Sequence, residues 1–210
     1  MSFQLINENP LYFLAWILAI VVGIVTHEFS HALAAVNLGD DTPRRMGRLS
    51  LNPLVHIDWL GFLMLILVGF GWAKPVVFNP HNLRYPKWGP IFVALAGIGA
   101  NLLNIIVFGI VLKIMAPTLG IDNMLIQFLN LLIIINVLLF TFNLIPIPPL
   151  DGSHFIELLP ARFNDLKMFL LTRGPWILII LLLADNFLNI GVFSTLFGTI
   201  INVVYRVFNV

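Results

Sequence analysis

Three stretches of this chain, Leu11–Leu38, Ile91–Met115 and Met124–Leu144, are each apolar over at least the ~20 residues a helix needs to cross a bilayer core. Backbone polar groups in lipid must be satisfied internally, so such runs fold as helices packed on one another, and the chain reads as an all-α polytopic membrane protein. The overall balance agrees: 60% of the 210 residues are hydrophobic and 10% charged, with a mean hydropathy of +0.99. Two further runs, Pro175–Leu188 and Gly191–Phe208, are marginal in length, and each could instead lie as an interfacial helix. About five to six transmembrane helices are therefore expected. The segment Trp59–Phe70 is too short for a comfortable crossing and is followed by the glycine-rich "GFGWAKPVVF", so a re-entrant or β-hairpin excursion is expected there.

Lysine and arginine cluster in residues 39–58, 72–89 and 160–174, which places those loops on the cytoplasmic side and the amino terminus outside. The chain is thus expected in the cell membrane as a multi-pass protein. Met1–Pro10 lacks a basic stretch and a small-residue cleavage site, so the first apolar run is expected to remain as a helix rather than be removed as a signal. A formal charge of +1 without a basic block gives no nucleic-acid footprint. Cysteine is absent, which excludes disulfides and thiolate metal sites. No repeat or linker divides the chain, and residues 1–210 read as a single membrane domain.

Within the first run, "THEFSHALAA" carries His27, Glu28 and His31. Residues four apart share a helix face, so His27 and His31 can hold one metal ion while Glu28 takes a proton from its water. Polar groups are costly in a span, which favours function over chance or simple interhelical hydrogen bonding. A catalytic zinc site takes three protein ligands. The remaining donor could be His56, Asp58, His81, Asp151, His154 or Glu157. Asp151 stands out because "NLIPIPPLDG" breaks a long apolar helix where irregular backbone survives only against protein or a water-filled cavity. A plain helix N-cap explains Asp151 equally well at this level. Asn101 and Asn104, beside Gly97 and Ala100, fit close helix packing first and site support second. His154 could hydrogen-bond a ligand or sit at the boundary, whereas His56 and His81 are expected as ordinary solvated residues.

"THEFSHALAA", "AGIGANLLN" and "NLIPIPPLDGSHF", in this order, resemble the three signatures of the site-2 protease family, intramembrane zinc metalloproteases. "LNPLVHIDWLGF", "GWAKPVVFNP" and "NLRYPKWGPIFVALAG" resemble its compact branch without PDZ or CBS domains. The likeness covers about residues 20–160, taken as the catalytic core. It implies one zinc per chain bound by His27, His31 and Asp151. It also implies that Glu28 activates water and that Asn143 polarises or orients the substrate carbonyl. The region of "GFGWAKPVVF" resembles a membrane-embedded hairpin that could hold an unwound substrate as an added strand. Ile98 and Gly99 depart from the glycine–proline pair frequent in relatives, which bears on helix shape more than on chemistry.

The expected activity is hydrolysis of peptide bonds within or near transmembrane segments of membrane-protein substrates, with the site toward the cytoplasm. About seven residues separate His31 from the helix end, placing the zinc roughly 10 Å below that boundary at ~1.5 Å per residue. The bilayer and a membrane-protein substrate are the expected partners, and the gating that PDZ or CBS modules give other relatives would be absent or supplied by a regulatory partner. The alternative is a catalytically silent relative acting as a metal-binding scaffold or transporter. Against a transporter stands the absence of paired broken-helix repeats.

Overall fold

The computed structural model describes residues 9–68, 71–188 and 190–209. Helix α1, Pro10–Asn37, starts with proline at its first position and with the Asn9 side chain accepting from the Tyr12 N–H at 3.0 Å. A one-turn helix α2, Thr42–Arg45, leads to α3, Trp59–Val68. Helix α4, Gly89–Leu119, ends at Gly120, whose φ of 79° is left-handed and stops the helix. Helix α5, Met124–Asn143, is capped by Asn123. After a 3₁₀ turn at Asp151–Leu158 come α6, Asn164–Phe187, and α7, Val192–Phe208.

Helices α1, α4 and α5 pack on one another as a three-helix core. Its interior holds Ala19 and Ile20 of α1, Ile105 and Leu112 of α4, and Leu129, Ile133 and Val137 of α5. The lipid-directed sides carry exposed Leu14, Leu18, Leu103, Ile106, Ile110 and Leu125, as expected where the surrounding solvent is itself apolar. Residues of α7 including Ile200, Ile201 and Val204 close the core on the side of α4 and α5.

Among the described residues, four helices are long and apolar enough to cross a membrane: α1, α4, α5 and the segment Ala161–Asp185. That is fewer than the five to six expected. Helix α6 begins well before Pro175, because residues 166–171, "LKMFLL", are mostly good helix formers and the helix absorbs the proline internally. Among the described residues there is no strand, so the expected hairpin is corrected. Its place is taken by the ten-residue α3 and by a lone antiparallel bridge between Ile57 and Ala73. "WLGFLMLILV" is rich in Leu, with one Met, and lacks the alternation a half-buried strand requires, while Pro75 withholds a ladder donor. The excursion returns to the side it came from, with Ala73 beside Ile57 and the Lys74 N–H donating to the His56 carbonyl at 2.8 Å. Residues 69 and 70 of the expected hairpin lie outside the described residues.

Candidate metal centre

Helical spacing brings His27 and His31 onto one buried face of α1, turned toward α4. Gly97 of α4 makes room for them: a Cβ there would lie 2.3 Å from Cε1 of His31 and 2.9 Å from Cε1 of His27. The break after α5 returns Asp151 to the same point. His27 Nε2 and His31 Nε2 are 2.9 Å apart, and Oδ2 of Asp151 lies 3.0 and 3.1 Å from them. These three are the residues expected as ligands, and they form a group able to hold a metal ion.

The far sides of the rings fix the chemistry. His31 Nδ1–H donates to the Val93 carbonyl at 2.7 Å, an oxygen that can only accept. His27 Nδ1–H donates to Oδ1 of Asn101 at 2.7 Å. The orientation of that amide follows from its Nδ2, which donates to the Gly23 carbonyl at 3.2 Å and to Oδ1 of Asn136 at 3.0 Å. In the neutral tautomers both Nε2 atoms therefore present lone pairs toward each other and toward a carboxylate. Accordingly, Oδ2 of Asp151 is buried without a hydrogen-bond donor. Three acceptors converging in a buried place call for a cation. Tetrahedral zinc with bonds near 2.1 Å would set its ligands about 3.4 Å apart, a few tenths of an ångström from the spacings here. The residues present fit the metal.

Behind His27 lies an amide network. Asn136 accepts from Nδ2 of both Asn101 and Asn104, at 3.0 and 2.9 Å, and donates to the Leu132 carbonyl at 2.7 Å. Asn104 also donates to Thr26 Oγ1 at 2.8 Å. Asn101 and Asn136 are fully buried. The sequence reading placed Asn101 at a helix interface first and did not single out Asn136. A lone amide in "LIIINVLLF" was the available signal.

Glu28 is buried on α1, and its Oε2 accepts from the Val76 N–H at 3.2 Å, across the extended segment that follows α3. That segment is tied down by Asp40. Asp40 takes hydrogen bonds from the Thr42 hydroxyl at 2.6 Å, the Thr42 N–H at 3.1 Å, the Asn79 N–H at 2.6 Å and Asn82 Nδ2 at 3.0 Å. Burial by itself would raise the Asp40 carboxyl, but these donors outweigh it and hold it below the usual range.

Other expected residues are placed differently. Asn143 Nδ2 donates to the Leu139 carbonyl one turn back at 3.0 Å. His154 faces Phe78 and Glu157, with 3.7 Å between its Nδ1 and Glu157 Oε1. His81 is exposed, as expected, but His56 is completely buried, with Nε2–H donating to the Ser50 carbonyl at 2.7 Å. The loops around it fold back on Arg48, also buried, which donates to the carbonyls of Val55 and Lys74. The expectation of a solvated His56 is thus corrected.

A histidine pair and an aspartate converging within a helical core, with a glutamate in the H-E-x-x-H frame, define a metalloprotease-type centre in a membrane protein. Comparison with known proteins gives the family. The model for "Peptidase family M50" matches residues 118–182. "Putative zinc metalloprotease YwhC" of Bacillus subtilis is 36% identical over 147 residues, 67% of each chain. "Putative zinc metalloprotease Rip2" of Mycolicibacterium smegmatis is 28% identical over 193 residues, 86% of this chain and 72% of that one. No solved structure matches. The chain belongs to peptidase family M50, the site-2 protease family of zinc metalloproteases.

Proposed function

We propose that this protein is a zinc endopeptidase that cuts peptide bonds within or at the edge of transmembrane segments of other membrane proteins. The observation carrying this reading is the convergence of His27 Nε2, His31 Nε2 and Asp151 Oδ2 within 3.1 Å of one another, next to Glu28, on helices long enough to span a bilayer. His27, His31 and Asp151 would hold one zinc, which when bound polarises a carbonyl and acidifies a water.

The remaining work falls to the protein. Glu28 receives the water's proton on its carboxylate and returns it to the departing amine. The Val76 N–H, at 3.2 Å, keeps that carboxylate aimed. Asn101 and Val93 fix the ring orientations and tautomers of the two histidines. Asn143 is assigned to the substrate carbonyl, for which its amide must leave the Leu139 carbonyl. A substrate helix must open before its carbonyls become available, so helix-breaking residues near the scissile bond are required.

Nine of the eleven Lys and Arg residues belong to the loops and helix ends on the metal-site side, leaving Lys113 and Arg206 at the other. That asymmetry faces the site toward the cytoplasm of the cell membrane. A membrane-protein substrate and the bilayer are the partners, with a regulatory protein controlling access to the site.

The test uses detergent-purified protein, wild type beside Glu28→Gln, His27→Ala and Asp151→Ala, with elemental analysis and a fusion substrate carrying a glycine- or proline-interrupted transmembrane segment. Near one zinc in wild type and Glu28→Gln, cleavage only by wild type, and no zinc in the ligand variants is the expected pattern. A zinc-loaded wild type that leaves every such substrate intact would refute the protease reading.

A further inference from the structure

Helices α6 and α7 do not sit in the membrane as their lengths suggest. Depth along the bundle can be read from side-chain contacts, taking the bonded pair Asn101–Asn136 as the reference level. His27 lies on the metal side of that level, four positions past Gly23, whose carbonyl Asn101 also holds, which is about 6 Å at ~1.5 Å per residue. Phe142, six positions past Asn136 on α5, lies about 9 Å to the same side. Gly109, eight positions past Asn101 on α4, lies about 12 Å to the opposite side.

Helix α7 connects these two levels. At its start, the Phe193 ring packs on Phe142 with centroids 6.2 Å apart. At its end, Phe208 covers Gly109, where a Cβ would lie 2.4 Å from the ring. The levels differ by about 21 Å and the helix between those residues rises about 22 Å, so α7 runs parallel to α4 and α5. Its last residues and Asn209 reach the cleft lined by Lys113, Pro117 and Ile121, at the junction of α4 and α5. Asn9 lines a second cleft at that end of the bundle, beside Met124 and Gln127.

Helix α6 begins and ends at the metal side. Lys167 near its start donates to the Glu157 carbonyl in the 3₁₀ turn that carries Asp151. Gly174 at its middle meets Pro148, where a Cβ would lie 2.8 Å from Cδ. Asp185 near its end accepts from the N–H groups of Val192 and Phe193, at 2.6 and 3.3 Å, and Phe193 is at the level of Phe142. A helix about 36 Å long with both ends there cannot cross. From Gly174 to Ala184 it carries no charged or amide side chain, and Trp176 and Ile180 are 65% and 63% exposed. Apolar side chains all round do not suit a helix lying in water. The basic residues are confined to its first half, Lys167 and Arg173, and to the turn just before it, Arg162, where they complement anionic headgroups.

We propose that α6 lies within the leaflet on the metal side, its exposed face covered by lipid acyl chains, while α1, α4, α5 and α7 make four crossings. Asn9 and Asn209 then share one side of the membrane. The arrangement reverses what length and composition imply for α6 and α7, and it holds whether or not the protein is a protease.

The absence of native cysteine allows a direct test. Asn9→Cys, Leu188→Cys and Asn209→Cys are expressed singly in cells and exposed to a membrane-impermeant maleimide, before and after permeabilisation. Labelling in detergent shows that each thiol can react, and Phe187→Cys replaces Leu188→Cys should the latter fail to accumulate. The expected result is that positions 9 and 209 label from the same side and position 188 does not label from that side. Labelling of position 188 together with position 9 would mean that α6 crosses. Labelling of position 209 from the side opposite to position 9 would mean an odd number of crossings. Either overturns the proposal.

Discussion

Removing the Asn101 amide isolates the contribution of a group that never touches the metal. In Asn101→Ala, His27 Nδ1–H loses the acceptor it holds at 2.7 Å, and the Gly23 carbonyl and Asn136 lose a donor. Asn136 keeps Asn104, and the Gly23 carbonyl also accepts from the Thr26 hydroxyl, so the unpaired group left in a dry interior is the imidazole N–H. An unsatisfied buried donor costs about 1–3 kcal/mol. The ring can escape that cost by rotating or by moving its proton to Nε2, and both moves withdraw a ligand. Groups that orient metal-binding histidines typically account for ~10–100-fold in metal affinity. Asn101→Ala should therefore weaken zinc binding by about 1.4–2.7 kcal/mol, whereas Asn136→Ala, which leaves the His27 acceptor in place but loosens its mooring, should cost less. Competition titration against a chromophoric chelator in detergent measures this, with circular dichroism confirming intact helices. Zinc affinity within twofold of wild type for Asn101→Ala, in a folded protein, would refute the role given to the amide network.

Gly97→Val should abolish zinc binding, since even a Cβ at that place would stand 2.3 Å from the His31 ring; elemental analysis of purified protein checks it. Gly174→Val should push α6 off Pro148, loosening the turn that carries Asp151 and lowering zinc affinity several-fold, while Gly198→Val, where a Cβ meets nothing, should not; the same titration distinguishes them. The Asp40 carboxyl is held below its unfolded value of ~3.9, so its stabilising contribution is complete above that pH and is lost as pH falls through the lower folded value. Asp40→Asn should accordingly lower stability at neutral pH and flatten the acid limb, read as the melting temperature of the detergent-solubilised protein between about pH 2 and 7.

The sequence was most legible where a residue type is expensive in its setting. Histidine and glutamate inside an apolar run announce a purpose, and the prolines before Asp151 mark the one place where backbone could turn toward them. The three long helices of the core followed from their length. What stayed hidden depends on partners distant in the chain. Asn136 is a single polar residue in a buried run, and only the approach of Asn101 and Asn104 from another helix gives it a function. His56 looks like a loop histidine until the chain folds back and its N–H meets the Ser50 carbonyl. Residues 59–68 were ambiguous because a short apolar run suits strand or helix alike, and Leu and Met decided for helix. The last two runs left crossing and interfacial helices both open, because a contact between Phe193 and Phe142, which bears on where α6 ends and α7 starts, is invisible in hydropathy.

The knot at Asp40 has a consequence for the conditions under which the protein works. All four of its donors are neutral groups, two backbone amides, a hydroxyl and a carboxamide, and the carboxylate is fully enclosed. Mobile ions screen exposed charge pairs within about 10 Å at 0.1 M salt but barely reach an enclosed carboxylate with uncharged partners. The fastening that keeps residues 76–82 against the end of α1, and with them the amide over Glu28, is therefore indifferent to ionic strength. A rise in the salt bathing that loop, as under osmotic stress, would leave the grip unchanged.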